Sequence, residues 1–245
     1  MSLLNYYIEW TAAQLPHILP IAEKLGGTIY TNCSYVETWL KRYSMIPCIR
    51  DTPPIETNLV LADYVNFPQN NTIQVCHGVS TKTYINEMPR EWFKYIINPS
   101  PTFKLNTSLT GFTRFRRYHK NSFIPGTCLY CPTLKLSNLD FLKNLLKKYQ
   151  VTFKPHPSDW SMSPLIQEAI SLGAILVDPL SEENIRYERL FETAEVLASD
   201  TSSMLYEFSL TGRKVITPDM NETFIDYRDW FYTNDICEEI EKCLI

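Results

Sequence analysis

Apolar positions along the chain switch repeatedly between two periods. Asn5–Trp10 reads as a strand. Leu15, Ile18, Leu19, Ala22 and Leu25 then fall at helical spacing, which predicts a helix over Leu15–Leu25. Gly26 and Gly27 close it, since glycine takes the left-handed conformation that ends helices. Thr28–Thr31 reads as a strand, and Ser34–Tyr43 as a helix with Ser34 as cap and Glu37 three residues on. Asn58–Ala62, Thr72–Cys76 and Phe93–Ile97 read as further strands.

A second series begins near Gly126. Thr127–Cys131 is a predicted strand, Asn138–Tyr149 a basic amphipathic helix, and Val151–Lys154 a strand that stops at Pro155. Pro164–Leu172 reads as a helix closed by Gly173, followed by strand Ala174–Val177 and helix Glu183–Glu192. Strand Glu195–Ala198, helix Ser202–Leu210, strand Lys214–Ile216 and helix Asp235–Leu244 complete the series. Alternating strands and helices mean parallel sheet with helical crossovers. The pattern runs twice, around an irregular stretch from about Asn98 to Pro125. The predicted fold class is α/β, with two Rossmann-like domains facing a cleft. The division is residues 1–122 and 123–245.

Composition narrows this picture. A chain of 245 residues can bury a sizeable core, and a formal net charge of −4 gives no bulk nucleic-acid signature. The opening MSLLNYYIEW lacks the basic start and long apolar run of an export signal, and no stretch has the length of a membrane span. The expectation is therefore a cytoplasmic protein, with room for a peripheral contact at the inner face of the cell membrane. The seven cysteines are an odd, scattered set, which argues for reduced thiols. Cys128-Leu129-Tyr130-Cys131 has the gap of a metal or redox pair but no second pair, so a strand is the favoured reading. No metal and no cofactor is expected.

In open parallel sheets, ligands bind beyond the carboxyl ends of the strands. That rule selects four loops, and each carries polar chemistry. After strand Glu195–Ala198 comes Ser199-Asp200-Thr201-Ser202-Ser203, at the mouth of the next helix. Its unpaired N–H groups and the hydroxyls of Thr201, Ser202 and Ser203 suit a phosphate. Glu207, one turn inside, suits a ribose diol. Simple N-capping by Asp200 or Thr201 is the equal alternative. Lys154-Pro155-His156-Pro157 clamps a histidine between prolines at a strand end, where it can donate to phosphate or move a proton, and Lys154 is expected to add positive charge for a donor phosphate. A turn histidine without a role is the alternative.

His77 and Gly78 follow strand Thr72–Cys76, with Lys82 beyond; His77 is placed to act as a general base, or to sit buried against a carbonyl. Thr133 and Lys135 end the first strand of the second half, where Lys135 meets a diphosphate or is simply solvated. His17 opens the first helix, at the cleft or on the surface. Arg114, Arg116, Arg117, His119 and Lys120 form a basic stretch that suits an anionic headgroup or polymer, or a solvated linker. The usual GxGxxG and GxxxxGKS phosphate cradles are absent.

Taken in order, Gln74-Val75-Cys76-His77-Gly78 with Lys82, Leu129 to Lys135, Lys154-Pro155-His156-Pro157, and Ser199 to Ser203 with Glu207 and Gly212 to Ile216 resemble the CDP-glycerol glycerophosphotransferase family, over roughly Ile73 to Pro218. These are the teichoic-acid primases and polymerases and related capsule polymerases. The resemblance implies a GT-B fold and transfer of a polyol phosphate from a CDP-activated donor to a lipid-linked or polymer acceptor, with release of CMP. It implies that His77 is the base for the acceptor hydroxyl and His156 a donor-phosphate contact. Ser202 and Ser203 would cradle the diphosphate and Glu207 would lie near the nucleotide. Cys76 stands where the family often has Trp, and Leu134-Lys135 where it has Trp-Arg. Other classes share this cleft: a GT-B glycosyltransferase using a nucleotide sugar, a nonhydrolysing epimerase, for which SDSGG rather than SDTSS is expected, and a non-catalytic binding module.

Overall fold

The computed structural model describes residues 4–9, 11–54, 59–62, 72–75, 95–98, 108–109, 122–133, 139–157, 164–200, 202–218, 222–223 and 236–243. The chain divides into two compact units, Met1–Phe115 with Asp229–Ile245, and Arg116–Arg228.

Among the described residues, unit 1 holds strands β1 (Asn5–Ile8), β2 (Thr28–Thr31), β3 (Cys48–Ile49), β4 (Leu59–Ala62), β5 (Thr72–Val75), β6 (Tyr95–Asn98) and β7 (Ser108–Leu109). They pair in the order β3-β2-β1-β4-β5-β6-β7, every pair parallel. Helix α1 (Leu15–Leu25) follows a single 3-10 turn and ends on Gly26, whose φ of 72° frees its N–H to reach the Ala22 carbonyl at 2.9 Å. Helix α2 (Ser34–Tyr43) starts one residue earlier than its sequence suggests, with Ser34 already inside it. Cys33 occupies the cap without a side-chain bond, and Glu37 pairs with Lys41 at 2.7 Å instead of turning back to the helix start.

Unit 2 holds β8 (Ile124–Tyr130), α3 (Leu139–Leu146), β9 (Gln150–Phe153), α4 (Pro164–Ser171), β10 (Ile175–Leu176), α5 (Glu182–Ile185), α6 (Glu188–Thr193), β11 (Ala194–Ala198), α7 (Met204–Ser209), β12 (Val215–Ile216) and β13 (Glu222–Thr223). Its sheet runs β10-β9-β8-β11-β12-β13, parallel except for the last pair. The side-chain period of a strand is two, and it splits the core into two layers. Cys128, Tyr130, Val196 and Ala198 face α3 and α4, against Phe141, Leu145 and Ile166. Leu129, Cys131 and Leu197 face the other way, against Phe191, Leu205 and Phe208. Phe191 and Phe208 meet edge to face at 5.4 Å, which adds about 1 kcal/mol to their burial.

The last helix, α8 (Ile236–Cys243), groups with unit 1 although the sequence division at 122 assigns it to the second domain. It buries Cys237 and Ile240 and packs on α1. A terminal amphipathic helix must cover its apolar face somewhere, and the chain order does not say where.

Candidate functional site

Both sheets share one topology. In each unit, the first three strands run outward on one side and the fourth starts again on the other side of the first. The reversal lies between β1 and β4 in unit 1 and between β8 and β11 in unit 2. Two loops diverge at such a point and leave a crevice at the carboxyl edge of the sheet.

In unit 2, three of the loops singled out from sequence leave the sheet at one level. Tyr130, the last residue of β8, is in register with Phe153 of β9 and Ala198 of β11. The residues just beyond extend the ladder. Cys131 N–H donates to the Ala198 carbonyl at 2.9 Å, Lys154 N–H to Tyr130 at 2.9 Å, and Ser199 N–H to Ile216 at 3.0 Å. The buried Ser199 hydroxyl donates to the Cys131 carbonyl.

Across the reversal, Asp200 ties the two loops together. Its Oδ1 accepts the Thr133 amide at 3.0 Å and also the Thr133 hydroxyl. The N-capping alternative for Asp200 is therefore corrected. The carboxylate serves the neighbouring loop, and the Ser202 hydroxyl takes up the Met204 N–H at 3.3 Å instead. Helix α7 begins at Met204, with Ser203 at its cap, and both serines stay partly exposed at the sheet edge. His156 is half-buried between Pro155 and Pro157, which are both buried.

Two residues expected at the ligand surface lie inside the unit. Glu207 has no exposed surface, and its Oε2 accepts the Tyr187 hydroxyl at 2.6 Å. A ribose contact through this carboxylate is not open in this arrangement, because α7 turns that face onto the core. Lys154 is 3% exposed and lies with Nζ 5.0 Å from the centre of the Tyr187 ring. Its four-carbon stem follows the chain inward, not outward. Burial pushes the Cys131 thiol up to about 12; Lys154 works against that and Glu207 with it. Burial likewise raises Cys128, with Cys131 a smaller contribution. The two cysteines face opposite layers of the core, as residues three apart on a strand must. Among the described residues, no group of three potential metal ligands converges.

In unit 1, His17 is 5% exposed within the first turn of α1, which corrects the surface reading. His77, Gly78, Lys82, Arg114, Lys135 and Thr201 lie outside the described residues, as does the rest of the basic stretch around Arg114. Among the described residues, no helix is long and apolar enough to cross a membrane.

Sequence reasoning missed Tyr187 and underrated Arg213. The span Glu183–Glu192 reads as one helix, yet the structure breaks it at Arg186, where φ is −98° and ψ 71°. That break turns Tyr187 into the core. Arg213, 5% exposed, donates to the carbonyls of Phe191, Glu192 and Ala194. In the sequence it stands only within the Gly212–Ile216 block of the family resemblance, outside the predicted strand Lys214–Ile216.

No family model matches the chain, and no curated protein matches its sequence. Solved structures match it well. The wall teichoic acid polymerase TagF aligns over 87% of this chain and 69% of its own, at 14% identity and a TM-score of 0.55. The MnaA protein of S. aureus with UDP aligns over 89% and 79%, at 9% identity and 0.57. The UDP-GlcNAc 2-epimerase of Neisseria meningitidis with UDP-GlcNAc aligns over 88% and 82%, at 10% identity and 0.54. At these identities the likeness is one of fold: two parallel-sheet α/β domains of the GT-B type.

Proposed function

We propose that this protein is a GT-B transferase that moves a polyol phosphate from a CDP-activated donor to an acceptor hydroxyl, in the synthesis of a cell-surface polymer such as teichoic acid or capsule. One observation carries the reading. Three segments that resemble the glycerophosphotransferases in sequence, ending at Thr133, His156 and Ser203, emerge at one edge of one sheet. Asp200 locks two of them together across the strand reversal. Hydroxyls, a histidine and amide donors at such an edge suit a diphosphate.

In the proposed reaction the acceptor hydroxyl oxygen attacks the donor's β-phosphorus. The bond from that phosphorus to the bridging oxygen breaks, and CMP leaves with the electron pair. His77 takes the hydroxyl proton. His156, Ser202, Ser203, Thr201 and Lys135 stabilise the charge that develops on the leaving group. Phosphoryl transfer depends mostly on positioning and charge stabilisation, so no covalent nucleophile is needed. Gly78, Lys82 and Arg114 are assigned to the acceptor side. A lipid-linked or polymeric acceptor would bring the protein to the inner face of the membrane as a peripheral partner.

A second reading is an enzyme of nucleotide-sugar chemistry. It is supported by the UDP-bound MnaA, which shares the fold to the same degree as TagF, with a TM-score of 0.57 against 0.55 and 0.58 for two TagF structures. Calorimetric titration with CDP-glycerol, CDP, CMP, UDP and UDP-sugars separates the two. Cytidine-selective binding that disappears in Ser202→Ala/Ser203→Ala is the expected result. Release of CMP on turnover marks phosphate transfer, whereas release of UDP marks sugar transfer. His77→Ala should abolish turnover while donor affinity stays within about threefold, because a general base acts on the acceptor. Uridine selectivity would install the second reading, and binding without any turnover would leave a non-catalytic module.

A further inference from the structure

We propose that Tyr187 is a positioning residue: its hydroxyl and ring join Glu207 to Lys154 beneath the sheet edge, and this brace sets the place of His156 relative to Ser202 and Ser203. The inference rests on the reading of that edge as a donor site, and its test keeps the two separable.

The brace joins three parts of unit 2. Lys154 is the first residue after β9, and its N–H is held by the Tyr130 carbonyl at 2.9 Å. From there its side chain runs into the core, and the ammonium comes to rest over the Tyr187 ring. Tyr187 stands in the break between α5 and α6, 5% exposed, and donates to Glu207 Oε2 at 2.6 Å. Glu207 lies in α7. Both charged groups act on the thiol of Cys131, so all four side chains share one region of the core below the end of β8.

A buried cation and a buried anion each carry a desolvation penalty that their mutual attraction only partly offsets. Apolar side chains of similar volume would hold this core equally well. What the charged set provides, and apolar packing does not, is direction. The phenol fixes one carboxylate oxygen and the ring face fixes the ammonium. Both ends of the brace lead to the candidate site. Lys154 is joined to His156 through buried Pro155, whose ring removes backbone freedom. Glu207 is one helical turn from Ser203, and its N–H donates to the Ser203 carbonyl at 3.1 Å. A shift of the phenol therefore reaches the imidazole on one side and the serine hydroxyls on the other.

Tyr187→Phe removes one oxygen and keeps the ring. The expected result is a folded protein whose His156 imidazole resonances move in a 1H–15N spectrum and whose affinity for CDP falls about tenfold, the size of a lost charge-assisted bond in a network. In a His156→Ala background the same change should cost clearly less, about threefold, because the share of its effect that runs through His156 is already gone and only the share that runs through the serines remains. Unmoved His156 resonances, or equal losses in both backgrounds, would overturn the proposal. Glu207→Gln, which keeps an oxygen for the phenol but removes the charge, gives the same readouts should Tyr187→Phe not fold. A wild-type protein that binds neither CDP nor UDP would refute the donor reading; the imidazole spectrum then decides the brace by itself.

Discussion

Arg213 offers the sharpest test of how unit 2 is held together. The last carbonyls of a helix have no partner within it. At the junction of α6 and β11 one guanidinium takes up three carbonyls: Arg213 donates to Phe191 through one terminal nitrogen, and to Glu192 at 3.2 Å and Ala194 through the other. The same group lies 4.9 Å from the Phe208 ring centre and 5.9 Å from that of Phe123. Arg213→Ala orphans three carbonyls at about 1 kcal/mol each and loses a cation–π contact of about 1 kcal/mol. The expected loss is thus about 3–5 kcal/mol, the range found when a buried charge network is broken from one side. Arg213→Lys keeps the charge but not the planar fork, and should lose about half as much. Urea unfolding followed by circular dichroism gives the total. Hydrogen exchange over residues 188–198 shows whether the α6–β11 junction opens first. A loss below about 1 kcal/mol for Arg213→Ala, or full stability in Arg213→Lys, would refute the account, since surface substitutions also fall within such limits.

Three further outcomes follow from the same geometry. Asp200→Ala should free the Thr133 loop and weaken nucleotide binding at least about tenfold, while Asp200→Asn, which keeps the acceptor oxygen, should retain most of it; calorimetry with CDP reads the difference. A Cβ on Gly27, at φ 122°, would sit 2.2 Å from the Leu4 carbonyl oxygen, whereas one on Gly26 meets nothing within 4 Å. Gly27→Ala should therefore cost well over the roughly 1 kcal/mol that left-handed strain alone costs at Gly26, as thermal unfolding would reveal. Burial holds Cys131 up to about 12 and Cys48 up to about 11, so both thiols carry little thiolate at pH 8. Cys131 should stay unmodified by iodoacetamide in the folded protein and react on unfolding; modification of the native thiol, located by mass spectrometry, would contradict its placement.

Much of this was legible in the sequence because it is local. Apolar periodicity located α1, α2, α4 and β1, β2, β9 and β11 to within a residue or two, and Gly26 and Gly173 marked helix ends through their backbone freedom. What failed had non-local causes. The two-residue strands β3, β7 and β13 have no periodicity of their own; they exist because a neighbouring strand offers an unpaired edge. Helix Glu183–Glu192 is continuous by propensity, yet it breaks at Arg186, where Tyr187 turns inward to meet Glu207.

The candidate site divides along the same line. The sequence by itself determined that the chain is α/β, which loops carry polar chemistry, and, through the rule that ligands bind at strand carboxyl ends, that the three such loops of the second half leave the carboxyl ends of their strands. It could not order the strands. Only the tertiary structure put β11 beside β8, and with it Asp200 against Thr133, residues 67 apart in the chain. It also decided which charged residues look outward. Lys154 and Glu207 are as polar as His156 and Ser202, so composition treats them alike. Packing alone distinguishes them, because a helix six residues long has to commit one face to the core.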